Sequence, residues 1–168
     1  MSLCRDAALA YALQGFRVFP LLPNQKLPAP PHGCKDATTD PAMIQKLFVK
    51  PGNLGIATGA GLLVIDLDVK RGVDGNDTWH GLQAAHGGHQ DTITCLTPSG
   101  GTHLYFRVPT GLLVPNSASK LGPGIDVRGE GGYVVAPPST LNGKAYCWES
   151  SNPVAMGDAP AWLLTRLT

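Results

Sequence analysis

The run Leu62-Leu63-Val64-Ile65-Asp66-Leu67-Asp68 constrains this chain more than any other stretch. Side chains of an extended strand alternate between faces, so Leu63, Ile65 and Leu67 fall on one side and Asp66 with Asp68 on the other. The apolar face calls for burial. Two carboxylates that share the opposite face repel each other unless solvent or a cation screens them. Two readings follow: acids at a strand end facing water, or acids sharing a cation, for which a divalent metal is the natural candidate. An EF-hand counted from Asp66 is excluded, because Lys70 and Arg71 stand where that loop needs an oxygen ligand and a glycine. The acids also interrupt the best apolar run, residues 61–69, which is far short of the ~18 to 20 residues of a membrane helix. No spanning segment is expected. The first 17 residues lack the basic-then-apolar order of a signal peptide, so a cytoplasmic location is expected.

The alternation recurs twice. Across residues 102–107, Leu104 and Phe106 oppose His103, Tyr105 and Arg107; across residues 124–128, Ile125 and Val127 oppose Asp126 and Arg128. Taken singly, His103 reads as a structural histidine and Asp126 with Arg128 as a surface ion pair. One sheet presenting all three polar faces together would make a site instead. Near these strands lie Pro98-Ser99-Gly100-Gly101 and Gly129-Glu130-Gly131-Gly132. They are either ordinary hairpin turns or loops whose backbone N–H groups approach a phosphate closely.

With 21 glycines and 15 prolines among 168 residues, the chain is punctuated by loops, while 43% hydrophobic residues suffice for a core. A helix is expected first, with Ala7, Ala8, Tyr11 and Ala12 on one face and Gly15 as its cap, followed by a strand over residues 16–21 and a proline-rich loop. Thr39 or Asp40 caps a second helix, with Pro41 at its first position and an end near Val49. Strands over 54–58 and 62–69 surround Gly59-Ala60-Gly61, and a helix over 77–86 ends at Gly87-Gly88. Strand-like runs over 92–96, 102–108, 125–128, 133–136 and 145–149 read as a β meander, and residues 160–167 as a closing helix. The class is α+β. Cys4, Cys34, Cys95 and Cys147 have neither zinc spacing nor the density of a disulfide framework, so no zinc is expected. A net charge of +1 shows no basic stripe, so contact with nucleic acid must be local or weak.

Four ordered motifs carry a resemblance: Asn53-Leu54-Gly55-Ile56-Ala57-Thr58-Gly59, Ile65-Asp66-Leu67-Asp68, the run from Thr97-Pro98-Ser99-Gly100-Gly101 to Phe106, and the run from Gly124-Ile125-Asp126-Val127-Arg128 to Ser139. Together they resemble the bifunctional primase-polymerase (prim-pol) domain of the archaeo-eukaryotic primase superfamily, over nearly the whole chain. The resemblance implies an RRM-like catalytic sheet beside a smaller N-terminal α/β unit, with residues 1–168 forming one catalytic domain at the front of a longer replication protein. Asp66, Asp68 and Asp126 would be the catalytic carboxylates binding two divalent ions, Mg or Mn. Ser99, Gly100, Gly101, His103 and Arg128 would contact the nucleotide. The implied activity is DNA primase/polymerase nucleotidyl transfer in phage or plasmid replication, with a single-stranded DNA template, a primer and NTP or dNTP as partners, and a helicase module following in the full-length protein. The competing readings are a metal-dependent nuclease and an RRM-like single-stranded nucleic-acid binding module without catalysis. Gly101 stands where the superfamily often has Ser, so that hydroxyl contact is either lost or supplied by Thr102 or Ser99.

Overall fold

The computed structural model describes residues 3–150 and 154–168. The chain divides into two compact units, Met1–Ala57 with Gly131–Cys147, and Thr58–Glu130 with Trp148–Thr168. Among the described residues the class is α+β, with four α-helices and mostly antiparallel sheets.

In the first unit, helix α1 (Leu3–Leu13) buries Cys4, Ala8, Tyr11 and Ala12. It stops at Gly15, whose φ of 89° permits the closing pair of bonds from Gly15 N to Ala12 O (3.0 Å) and from Phe16 N to Tyr11 O (3.1 Å). Strand β1 (Val18–Leu21) follows. Helix α2 (Pro41–Leu47) is capped by the Asp40 carboxylate, which accepts from Ala42 N at 3.0 Å. It ends short of the expected Val49 because Phe48 has already left helical geometry ahead of Lys50-Pro51. Strand β2 (Asn53–Ala57) is buried along its whole length. Its partners are β1 on one side and, on the other, a strand from much later in the chain, residues Tyr133–Ala136. Gly55 admits no side chain, since a Cβ there would sit 2.7 Å from the Phe19 ring.

The second unit opens with β3 (Leu62–Leu67). Helix α3 (Gly75–Ala85) is capped by Asp74, which accepts from Asn76 N at 2.8 Å. Strands β4 (Thr94–Leu96), β5 (Thr102–Arg107) and β6 (Ile125–Arg128) follow, before β7 (Tyr133–Ala136) returns to the first unit. The sheet order is β4-β5-β3-β6, antiparallel throughout, with Ser117–Ala118 on the outer edge of β6 and Gly157–Asp158 parallel to β5. One face is the core. Leu63, Ile65, Leu67, Phe106, Ile125 and Val127 pack against Trp79 of α3 and against Leu163 and Leu167 of the final helix α4 (Ala161–Leu167).

The expected meander is therefore incorrect. β5 and β6 each pair with β3 and not with one another, and β7 lies in the other sheet. The turn at Gly59-Ala60-Gly61 carries the chain from one sheet to the next instead of joining two paired strands, with only a bridge between Gly59 and Leu62 closing it. Turn signals mark where a strand stops, but partner choice depends on which buried faces must meet, and that is not a local property.

Candidate active site

Register brings the acids together. Asp66 in the middle strand β3 stands opposite His103 on β5 and opposite Asp126 on β6, so the three form one row across the sheet. They occupy the face away from the helices, as the alternation of all three strands requires. The next row is Tyr105, Val64 and Arg128. Tyr105 and Val64 are fully buried, so this end of the face is closed, whereas the Asp66 side chain keeps 14% of its exposure and Asp126 keeps 21%.

Asp68 lies just past β3, where two glycines fix its backbone. Its N–H donates to Gly124 O (2.8 Å) and its carbonyl accepts from Gly75 N (2.8 Å). A Cβ on Gly75 would meet the Gly124 carbonyl and the Asp68 backbone, so the pair of glycines is what lets three chain segments close around Asp68. Sequence reasoning passed over Gly75 and gave Gly124 no separate role; the signal for Gly75 was a glycine opening a helix directly after an Asp cap.

The cation that the paired acids call for is supplied by the protein. One Arg128 guanidinium nitrogen lies 3.4 Å from Asp66 Oδ2 and 3.3 Å from Asp126 Oδ2. His103 Nε2 lies 3.4 Å from Asp66 Oδ1, and Lys70 Nζ lies 2.8 Å from Asp68 Oδ2. Asp126 Oδ1 also accepts from Ser119 N at 3.3 Å. Hydrogen bonding to Asp68 raises the pKa of Lys70 above its ordinary value, and the charges of Asp68, Asp126 and Asp66 add to the effect. Lys70 was missed as a site residue, although its place two positions after Asp68 on the short strand Val69–Lys70 was legible. The Asp126–Arg128 ion pair expected of a plain surface is present, but it is extended to Asp66.

Among the described residues, no group of three or more His, Cys, Asp or Glu side chains stands together as a metal cluster. The donor set itself suits a hard divalent cation: carboxylate oxygens, partly exposed and on one face. Arg128 and Lys70 also reach those oxygens.

The two glycine-rich turns differ. Pro98-Ser99-Gly100-Gly101 lies at the entry to β5, next to the end of β3, because Gly101 rests on the Leu67 carbonyl oxygen with no room for a Cβ. A serine there is excluded by the backbone. Of the two substitutes, the Thr102 hydroxyl points to the helix side and donates to Asn76 Oδ1 (2.9 Å), while Ser99 is exposed, with Oγ 3.3 Å from Thr97 Oγ1. The Gly129-Glu130 pair is no phosphate cradle. Gly129 N donates to Asn116 Oδ1 (2.8 Å), Glu130 N to Val114 O (2.7 Å), and the Glu130 carboxylate takes Ala60 N (2.9 Å), so these groups hold the turn itself.

Two carboxylates and a histidine thus form a row across three antiparallel strands, with a glycine turn at its end. Residues 8–162 match the model of the bifunctional DNA primase/polymerase N-terminal domain. The chain belongs to this family. No curated protein matches it. Membership gives this prim-pol domain its general activity, DNA primase/polymerase chemistry on DNA and nucleotides. Among the described residues of the domain, no helix is long and apolar enough to cross a membrane.

Proposed function

We propose that this domain is a metal-dependent nucleotidyltransferase that extends, and under suitable conditions starts, primers on single-stranded DNA. The observation that carries the reading is the His103–Asp66–Asp126 row, flanked by Arg128 and ending beside Asp68 and the Ser99–Gly101 turn. Asp66, Asp68 and Asp126 would hold two divalent ions, Mg or Mn. Ions held by these carboxylates would supply a lowered pKa for a primer 3′-hydroxyl and charge stabilisation for the leaving pyrophosphate.

The protein's own groups then orient the substrate. Arg128 presents a planar fork of donors that matches phosphate oxygens, and its present contacts at 3.3 and 3.4 Å are long for charge-assisted hydrogen bonds, so exchanging them for phosphate costs little. His103 is buried with Nε2 facing Asp66, and it is positioned by the strand rather than by its own flexibility. Ser99 and Gly100 lie on the exposed part of the turn; the Gly100 N–H donates to Thr97 O (3.1 Å), which leaves the Ser99 hydroxyl as the side-chain donor within reach of an anion.

The strand order β4-β5-β3-β6, with a helix between β3 and β4, supports the RRM-like reading of the sheet. The second crossover, residues 108–124, has a short strand in place of an RRM helix. An RRM module reads bases through exposed aromatics, whereas this face carries acids and a buried Tyr105, which favours catalysis over plain binding. We further place the domain at the front of a phage or plasmid replication protein, acting in the cytoplasm with a helicase module after it.

The test is primer extension on a single-stranded template with NTPs or dNTPs in Mg²⁺ or Mn²⁺, with EDTA and no-nucleotide controls. Elongation that needs both nucleotide and metal is expected. Shortening of the primer without nucleotide would make the domain a nuclease, and metal-independent binding without synthesis would make it a binding module.

A further inference from the structure

The polar face of β3 opens in one direction. Along it Val64 is fully buried, the Asp66 side chain is 14% exposed, that of Asp68 26% and that of Lys70 68%. Beside Val64 the face is closed by Tyr105, which is itself buried with its ring 5.2 Å from that of Trp148. The other end is bordered by glycines. Gly124 O accepts from Asp68 N (2.8 Å), and Gly101 rests on the Leu67 carbonyl, so these two positions bring no side chain over the Asp68 carboxylate.

Lys70 continues the face, because its Nζ reaches Asp68 Oδ2 at 2.8 Å. From Asp68 the chain enters a hairpin in which Val69 pairs with Asp74 and Lys70 with Val73. Arg71 and Gly72 form its two-residue turn with φ of 49° and 78°, the pair of positive values that a type I′ turn requires. The base of the hairpin is held in place: Gly75 N donates to Asp68 O (2.8 Å), the Asp74 carboxylate caps α3, and a Cβ on Gly124 would lie 3.0 Å from Val73 Cγ1. Arg71 is exposed at the tip. So is Lys120, which follows Ser119, whose N–H donates to Ile125 O (2.9 Å) at the start of β6. Three exposed cations thus belong to the segments around the open end, in a chain whose net charge is only +1.

A strand whose 3′ end reaches the acids cannot continue over the buried Val64 and Tyr105. It leaves over Asp68 and passes the hairpin, where Lys70 is the first cation its phosphates meet. The Ser99–Gly101 turn flanks this exit from the β5 side and the hairpin from the β6 side, so the incoming nucleotide and the strand have separate walls.

We propose that Lys70 and Arg71 bind the backbone phosphates of the primer strand just behind its 3′ end, with the hairpin as a fixed guide for the product. This rests on the nucleotidyl-transfer reading and adds to it the direction in which the strand leaves.

The test is binding of the whole chain to a labelled primed template and to the same template unprimed, in Mg²⁺ without nucleotide, over a series of salt concentrations. Lys70→Gln combined with Arg71→Asn removes both charges, and Asn tolerates the left-handed φ of the tip. Affinity for primed DNA is expected to fall about tenfold, and the dependence of log K on log salt to flatten by about 0.9 per charge removed. The unprimed template should lose less, and dNTP binding should stay unchanged. Arg71→Lys should keep the parental affinity and slope, which separates a phosphate contact from a structural role. Unchanged affinity and slope, equal losses on primed and unprimed DNA, or a loss confined to dNTP would each overturn the proposal. Primer extension by the parent is run beside these titrations. An active parent with any of those results leaves the nucleotidyl-transfer reading standing, whereas a parent that binds primed DNA and does not extend it overturns both.

Discussion

Asn53 on β2 and Asp66 on β3 are both largely buried polar groups on mostly apolar strands that follow one another in the chain, yet they are held in opposite ways. Both oxygen and nitrogen of the Asn53 amide bond to backbone: Nδ2 donates to Gln25 O (3.0 Å) and Thr140 O (2.8 Å), and Oδ1 accepts from Thr140 N (3.1 Å). Ser139 and Tyr11 in the same unit likewise bond to backbone carbonyls. Asp66 faces other side chains, His103 and Arg128, at 3.4 Å each. Backbone partners cannot leave without unfolding something, whereas side-chain partners at long distance can be exchanged for a ligand. The first unit uses buried polarity to fix the chain, and the second keeps charge available.

The largest effect should come from neutralising that charge. Asp66→Asn or Asp126→Asn is expected to reduce nucleotide incorporation by about a thousandfold, the equivalent of about 4 kcal/mol in the barrier. The unfolding midpoint should stay close to that of the parent. No gain in stability is expected, because Arg128 already offsets the repulsion that the substitution removes. Near-parental synthesis by either variant would remove that residue from the site. The counterpart in the first unit is Asn53→Ala, which strands two carbonyls and one N–H and should lower stability by about 3 kcal/mol. Urea unfolding measures this. A variant that unfolds no sooner than the parent would show that the amide's bonds are dispensable and would erase the contrast.

Arg128→Ala is intermediate. It should weaken triphosphate binding by about 1.5 to 3 kcal/mol and template binding much less, as read by titration of each ligand separately. Its effect on stability should be below about 1 kcal/mol, since the guanidinium is 38% exposed and its ion pairs are screened. Equal losses for both ligands would make Arg128 a general phosphate contact instead of a nucleotide one.

What could be read from the sequence divides along the same line. The alternation of Leu63, Ile65 and Leu67 with Asp66, and its repeats at His103 and Asp126, announced which side chains share a face, because a strand's period is a local property. That they fall in one row needed the register of β3 with β5 and β6, which local pattern does not contain. The Asp40 cap and the Gly15 stop were legible, since a cap involves residues within one turn. The Gly129-Glu130 turn misled, because the groups that consume its N–H donors, Asn116 and Val114, come from a loop with no sequence signature. Arg128 as the bridge between two acids was half visible: its pairing with Asp126 followed from spacing along β6, and its reach to Asp66 only from the pairing of strands.

The smallest effect separates the two units by the cause of a proton's affinity. Cys4 in α1 and Lys70 beside Asp68 both hold protons more tightly than usual, above ordinary values of 9.0 and 10.5. Burial does this to Cys4 by disfavouring the thiolate, against a weaker opposing effect of its hydrogen bond to Ser139. For Lys70 the cause is the Asp68 carboxylate, which favours the charged form of an exposed amine. In both cases the folded pKa lies above the unfolded one, so the stabilisation is complete below the unfolded value and is lost as pH rises through the folded value. The Cys4 contribution should therefore decline from about pH 9 and the Lys70 contribution from about pH 10.5. Salt distinguishes them, because screening weakens a surface charge pair and leaves the desolvation of a buried thiol almost untouched. Cys4→Ala should flatten the fall in stability above pH 9 equally at low and high salt. Lys70→Met should flatten the fall above pH 10.5 at low salt only, by less than about 0.5 kcal/mol. Salt sensitivity in the Cys4→Ala variant, or none in Lys70→Met, would show that charge and burial are not partitioned between the units in this way.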